Sequence, residues 1–297
     1  MANRKIKVGS RESVLAVKQA EIVMSEIRKS NPMLELELVT IKTKGDKILD
    51  RSLDKIGGKG LFIKELEQAL IDMEIDIAVH SYKDVPYEET KELPIVALSK
   101  RESPFDVLIL PKGVSELDKS KPIGSSSLRR SIQFKALHKG IESKLIRGNV
   151  ITRLEKLDRG EYSAIILAQA GINRLSLQDR ISRVFTEEEM IPSASQGILA
   201  VQGRKGENYS YLDDFHSKES ECVSRAERQF LKVLNGGCSS PVAAYGQIKG
   251  NELSLTGMYV SGEADFAAQE NMVRGSVCGA VDNPELLGEK LARMCFL

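Results

Sequence analysis

The sequence predicts an α/β protein: two similar lobes, each a mostly parallel sheet covered by helices, followed by a smaller α+β module. Three observations predict it. Short apolar runs alternate with segments whose apolar residues recur at helical spacing. That alternation restarts after Arg101-Glu102-Ser103-Pro104. Beyond Glu219 the texture changes to one helix, glycine-punctuated strands and a last helix.

In order, Lys5–Val8 reads as a strand, and Val14, Val17, Met24 and Ile27 mark a helix. Leu34, Leu36 and Leu38 alternate with glutamates, the period of a half-buried strand. Phe62, Leu66, Leu70 and Met73 line one helix face, and Ile75–Val79 is a compact strand ending at His80-Ser81. The second lobe takes strands at Asp106–Leu110, Lys121–Gly124, Leu145-Ile146 and Ala164–Leu167. Its helices carry Leu128, Ile132 and Leu137, then Val150, Leu154 and Leu157. Pro192, Gly197 and Gly203 flank the Ile198–Val201 strand and mark a crossing back to the first lobe. A helix with Val223, Ala226, Phe230 and Val233 opens the last module, and Leu286–Met294 closes it. The expected domains are 1–98 with 198–215, then 103–192, then 219–297, because strands alternating with helices imply parallel βαβ units.

Composition narrows the function. With 43 Lys+Arg against 42 Asp+Glu the net charge is +1, so no global field draws the chain to nucleic acid or to an anionic membrane. There is no Trp and aromatics are 5%, which leaves no stacking platform for single strands. No apolar run approaches the roughly 20 residues of a spanning helix, and the N-terminus shows no signal-type segment. A cytoplasmic location is expected. The 4 cysteines form no C-x-x-C pair, and the 3 histidines are scattered, so neither a disulfide framework nor a zinc site is expected.

Positive charge is concentrated locally instead. In open α/β sheets ligands bind beyond the carboxyl ends of strands. Ser10-Arg11, His80-Ser81-Tyr82-Lys83-Asp84, Ser125-Ser126-Ser127-Leu128-Arg129-Arg130 and Arg147-Gly148-Asn149 with Arg153 all occupy such ends, and Gly57-Gly58-Lys59-Gly60 precedes a helix. Each carries a cation, and most lead into a helix N-terminus, where free N–H groups favour anions. One such segment alone is an ordinary solvated loop. Together they indicate a polyanionic ligand. The glycine segment fits no nucleotide fingerprint. His80 reads as a hydrogen-bonded structural residue. Asp84 is either a capping or surface-paired acid or a carboxylate that stabilises a developing cation. If Arg11 and Arg129 converge on it, its ionised form is favoured. Cys238, in Asn235-Gly236-Gly237-Cys238, is an exposed thiol suited to nucleophilic or attachment chemistry, whereas Cys222 reads as core. A non-catalytic anion-binding module is the rival reading, since the fold alone does not fix function; a pure binder needs neither Cys238 nor Asp84.

These segments, in this order, resemble the porphobilinogen deaminase (hydroxymethylbilane synthase) family. The match runs from about Ile6 to Gly246 and rests on Val8-Gly-Ser-Arg-Glu-Ser, Gly58-Lys-Gly-Leu-Phe-Ile-Lys-Glu-Leu-Glu, Ala78-Val-His-Ser-Tyr-Lys-Asp-Val-Pro, Gly124–Arg130, Ile146-Arg-Gly-Asn-Val and Asn235-Gly-Gly-Cys. The resemblance implies two lobes like those of type II periplasmic binding proteins plus a third domain, and a dipyrromethane cofactor bound by thioether at Cys238. It implies a transferase that joins four porphobilinogen molecules into hydroxymethylbilane with loss of ammonia. Asp84 matches the family's catalytic carboxylate. Arg11, Lys55, Lys59, Ser81, Lys83, Ser125, Ser127, Arg129, Arg130, Arg147, Arg153 and Arg174 match positions that hold acetate and propionate groups. The expected partner is porphobilinogen alone, with no nucleic acid, membrane or metal, and the expected state is a monomer. Two stretches depart from the pattern. Pro192-Ser-Ala-Ser-Gln-Gly197 stands where Pro-Ala-x-Gly-Gln-Gly is expected, and Ser239-Ser240-Pro241 is less bulky than usual; altered hinge stiffness or loop packing is the expected consequence.

Overall fold

A computed structural model describes residues 5–43, 63–88, 90–236, 241–260 and 271–296. They divide into two compact units: 5–43, 63–88, 90–102 and 198–221 form the first, and 103–197 with the described residues from 222 onward form the second.

The first unit begins with β1 (Ile6–Arg11), α1 (Val14–Ser30), β2 (Leu36–Ile41), α2 (Lys64–Ile71), β3 (Ile77–Ser81) and β4 (Ile95–Leu98), and is completed by β10 (Leu199–Gly203). The sheet runs β2-β1-β3-β10-β4, with β1 parallel to β2 and β3, and β10 antiparallel to β3 and β4. Ser13 caps α1 by accepting from the Ala16 N–H, and Arg28 and Lys29 sit at its negative end, both favourable placements. Its buried stripe is Ala16, Gln19, Ala20, Val23, Met24 and Ile27. Val14, expected on that stripe, is exposed: at 3.6 residues per turn it lies off the face that Ala16, Ala20 and Val23 share, a face that includes Gln19, whose amide is satisfied by Ser81. The α2 helix buries Leu66, Ala69 and Leu70. Met73, expected to continue that face, lies beyond the helix end at φ 58° and is exposed; the left-handed turn rotates it away from the core. Phe62 lies outside the described residues.

The second unit repeats the plan. It contains β5 (Asp106–Ile109), β6 (Ile123–Gly124), α3 (Leu128–Leu137), β7 (Ser143–Lys144), α4 (Val150–Asp158), β8 (Ala164–Ala168), α5 (Gln169–Arg174) and β9 (Arg183–Val184). The strand order is β7-β6-β8-β5-β9, again three parallel strands followed by an antiparallel one. In each sheet that antiparallel strand, β5 or β10, is the first strand after the chain passes from one unit to the other. The expected α/β fold is therefore present twice. The Leu145-Ile146 strand is displaced to Ser143–Lys144; Ile146 is buried and Leu145 exposed.

The rest of this unit is the antiparallel sheet β11 (Ala243–Lys249), β12 (Glu252–Val260) and β13 (Met272–Ala280) with α6 (Lys218–Val233) from Cys222 onward and α7 (Pro284–Phe296). Ile132 of α3 and Ile191 share a core with Ala243, Tyr245, Met258 and Val260, so this sheet is packed onto α3. Among the described residues no helix is long and apolar enough to cross a membrane.

Candidate active site

In the first unit the relevant side chains gather at the carboxyl ends of neighbouring parallel strands. Gly9 pairs with Ala78, so Arg11 and His80, two residues further along each strand, are level with one another. Ser81 ends β3, and its hydroxyl accepts from the Gln19 amide at 2.9 Å. The chain then tightens into a 3-10 turn over Tyr82–Asp84, closed by the Val85 N–H donating to the Tyr82 carbonyl at 3.1 Å. Buried Tyr82 anchors that turn, its N–H bound to the Ile198 carbonyl, and Lys83 and Asp84 are half-buried beside it. His80 is buried, with Nε2 3.0 Å from the Gln202 oxygen. Burial, aided by the charge of Arg11 and opposed by that hydrogen bond, lowers its pKa to about 4. It is neutral near pH 7.

The second unit gathers another set at the entry to α3. Ser125 is buried, and its hydroxyl donates to the Ser127 carbonyl at 3.1 Å while accepting the Ser127 N–H at 3.2 Å. That local turn sets up Ser127 as the residue before the helix. Arg129 and Arg130 follow in its first turn, and both are buried. Arg129 Nη1 donates to Asp106 Oδ2 at 2.7 Å and to the Ile191 carbonyl at 2.8 Å. Arg130 donates from Nε to Asp106 Oδ1 at 3.0 Å and lies within 2.8 Å of it through Nη2. Burial opposes ionisation of Asp106, but the two guanidiniums and bonds from Arg129 and Gln196 outweigh it and hold the carboxyl well below the usual range. The acid that Arg129 meets is thus Asp106.

Arg147 is buried just before α4, and its carbonyl accepts from Lys156 Nζ at 3.1 Å. Arg153 Nε binds the Gly148 carbonyl at 2.8 Å, and Arg174 Nη2 binds the Gly197 carbonyl at 2.6 Å. Arg11, Ser81, Lys83 and Asp84 therefore form one set, and Ser125, Ser127, Arg129, Arg130, Arg147, Arg153 and Arg174 belong to the other unit. Lys55, Lys59, the Gly57–Gly60 segment and Cys238 lie outside the described residues.

Sequence reasoning missed Asp106, Gln196 and Gln19. Two had a signal: an acid heading an otherwise apolar strand, and a glutamine in the Ala16, Ala20, Val23 stripe, are polar groups at core positions that require partners. Gln196 donates to Asp106 Oδ1 at 2.9 Å and to the Pro104 carbonyl at 2.6 Å. Two buried guanidiniums sharing a single carboxylate leave a positive surplus, the donor chemistry that a carboxylate-bearing dipyrromethane requires.

Residues 6–211 match the family described as "Porphobilinogen deaminase, dipyromethane cofactor binding domain", and residues 221–296 match its C-terminal domain. The chain belongs to the porphobilinogen deaminase family. A porphobilinogen deaminase of Alkaliphilus oremlandii is 58% identical over 288 residues, covering 97% of this chain and 95% of its own. Those of Ruminiclostridium josui (56%, covering 98% of this chain and 97% of its own) and Acetivibrio thermocellus (61%, 86% and 88%) are similarly close. As a porphobilinogen deaminase family member the chain is a transferase of tetrapyrrole biosynthesis, making hydroxymethylbilane with a dipyrromethane cofactor.

Proposed function

We propose that the family's reaction is carried here by Asp84 as catalytic carboxylate and by Cys238 as the thioether attachment point. Arg11, Lys55, Lys59, Ser81, Lys83, Ser125, Ser127, Arg129, Arg130, Arg147, Arg153 and Arg174 bind the acetate and propionate groups of cofactor and substrate. The observation that carries the reading is the Arg129–Arg130 pair, buried against one carboxylate in the first turn of a helix. Buried arginine forks in surplus over acids suit a polyanion whose every ring brings two carboxylates.

When bound, a dipyrromethane supplies the pyrrole carbon to which substrate is joined. Asp84 accepts hydrogen bonds from the substrate's pyrrole N–H, stabilises the cation left when ammonia departs, and moves protons to the leaving amine and from the coupled ring. Neutral His80 adds no charge to the end of β3 that leads into the Asp84 turn. Asp84→Asn keeps the shape and loses the charge. The expected outcome is a folded protein that still carries the dipyrrole mass, with turnover reduced by a factor of about 100 or more. Near-normal turnover refutes the role. Cys238→Ala is expected to abolish the adduct in an intact-mass spectrum, and an adduct surviving in that variant refutes the attachment point. The three sheets support the three-domain division at 1–98 with 198–215, 103–192 and 219–297. We further assign a monomeric, cytoplasmic enzyme, checked by light scattering and by cell fractionation.

A further inference from the structure

We propose that Asp106 is a positioning residue for this reaction: it shares one negative charge between Arg129 and Arg130, aims both forks, and leaves the pair one net positive charge for a single ligand carboxylate. The inference rests on the reading that these arginines hold such carboxylates.

The geometry is a hub. Asp106 heads β5 and is fully buried. Its Oδ2 takes Arg129 at 2.7 Å, and its Oδ1 takes Arg130 at 2.8 Å and the Gln196 amide at 2.9 Å. Backbone carbonyls give each guanidinium a further acceptor: Ile191 for Arg129 at 2.8 Å, on the same Nη1 that binds Asp106, and Ile166 for Arg130 Nη1 at 3.2 Å. Gln133, one turn along α3, grips Ile191 through both its N–H and its carbonyl. Each arginine is thereby held by a carboxylate and a backbone carbonyl, which removes rotamer freedom that a long side chain otherwise loses on binding.

Charge explains why an acid is needed there. Cations in the first turn of a helix face its positive end, and two buried guanidiniums repel each other. One carboxylate offsets one of them. Among the described residues Asp106 is the one acid within ion-pair distance of either guanidinium, so the count is two positive against one negative. A second acid would cancel the pair and abolish its affinity for anions. None at all would leave the forks without an aim.

The test is Asp106→Asn, which preserves size and removes the charge. Turnover of porphobilinogen, intact mass and thermal melting are measured on the purified protein. The expected outcome is a weaker hold on carboxylates, about tenfold by the usual strength of a charge-assisted pair. It is read as a rise in KM larger than any fall in kcat or, where the pair serves the cofactor, as a fall in the fraction of chains carrying the dipyrrole mass. A variant that melts earlier yet keeps both KM and full loading makes Asp106 merely structural and overturns the proposal. A lowered KM also overturns it, since Asp106 would then act only by opposing the ligand's charge. Should Asp106→Asn not accumulate as folded protein, Gln196→Ala loosens the same hub and is expected to move the same readouts by about threefold; no movement overturns the proposal. Arg129→Leu and Arg130→Leu separate the two levels. If neither alters KM or loading, the carboxylate-binding reading fails and the inference with it. If they do and folded Asp106→Asn does not, only the role of Asp106 falls.

Discussion

His80 shows how a single buried residue ties stability to pH. The Gln202 amide nitrogen donates to the Leu93 carbonyl at 2.9 Å and to Glu67 at 3.0 Å, so its oxygen is the acceptor and His80 Nε2 carries the proton. Burial, with the nearby charge of Arg11 and against the Gln202 bond, lowers the imidazole pKa from 6.5 to about 4. Between those values the unfolded chain binds a proton that the native state refuses, so stability falls as pH falls from 6.5 to 4. At about 1.4 kcal/mol per unit the loss approaches 3 kcal/mol. His80→Gln is expected to flatten the curve of melting temperature against pH over that window, and an unchanged slope refutes the assignment. Asp106 acts lower on the scale. Its folded pKa is depressed, so its contribution is complete above the unfolded carboxylate value near 4 and is lost as pH falls further. Its role was hidden in the sequence because its two arginine partners sit 23 and 24 residues away and Gln196 90 residues away, and nothing in a strand's first residue names them.

At the scale of elements, the turn into α4 depends on a backbone that only glycine adopts without strain. Gly148 has φ +115°, and a Cβ there would lie 2.9 Å from the Cβ of Thr152. Asn149 then caps α4 by accepting from the Thr152 N–H at 3.0 Å. Gly148→Ala is expected to cost about 1–3 kcal/mol, read as an earlier thermal melt, and to displace Arg147 and Arg153, which flank the turn. An unchanged melt refutes the strain. Strands buried on both faces were the most legible elements, because a short apolar run such as Ala164–Leu167 leaves its period with little to decide. Helix phase was less legible. In α1, Val14 and Val17 suggest one phase, but the buried face is that of Ala16, Ala20 and Val23 and includes Gln19, whose partner Ser81 no local pattern records. The end of α2 is similar: Met73 continues the apolar spacing but lies past a left-handed turn.

For the whole molecule, the decisive stretches are those where the chain passes between its units, at residues 102–103 and 197–198. The return stretch is fastened within the second unit at two successive residues. The Ser195 N–H donates to Glu227 Oε2 at 2.6 Å, and Gln196 binds both Asp106 and the Pro104 carbonyl. Glu227 is fully buried and also accepts the Gly246 N–H at 2.7 Å, so α6, β11 and the return stretch meet on one carboxylate. Its four-residue spacing from Val223 put it on the buried face, but glutamate on a helix reads as a solvated residue. Ser195 stands where the resemblance implied glycine, and two observations bear on what a serine costs there. Its φ is +61°, a left-handed conformation that costs a residue with a Cβ about 1–2 kcal/mol. Its hydroxyl is buried without a hydrogen-bond partner among the described residues, worth roughly 1 kcal/mol or more. Ser195→Gly removes both penalties and keeps the N–H that Glu227 accepts. Greater freedom of the unfolded chain opposes the gain by about 0.4–1 kcal/mol, so the balance favours the variant. The expected result is a melting temperature raised by about 2–6 °C, the shift that 1–2 kcal/mol gives in a chain of this size. A lowered melting temperature would show that the serine hydroxyl is bonded and that the left-handed turn is not strained.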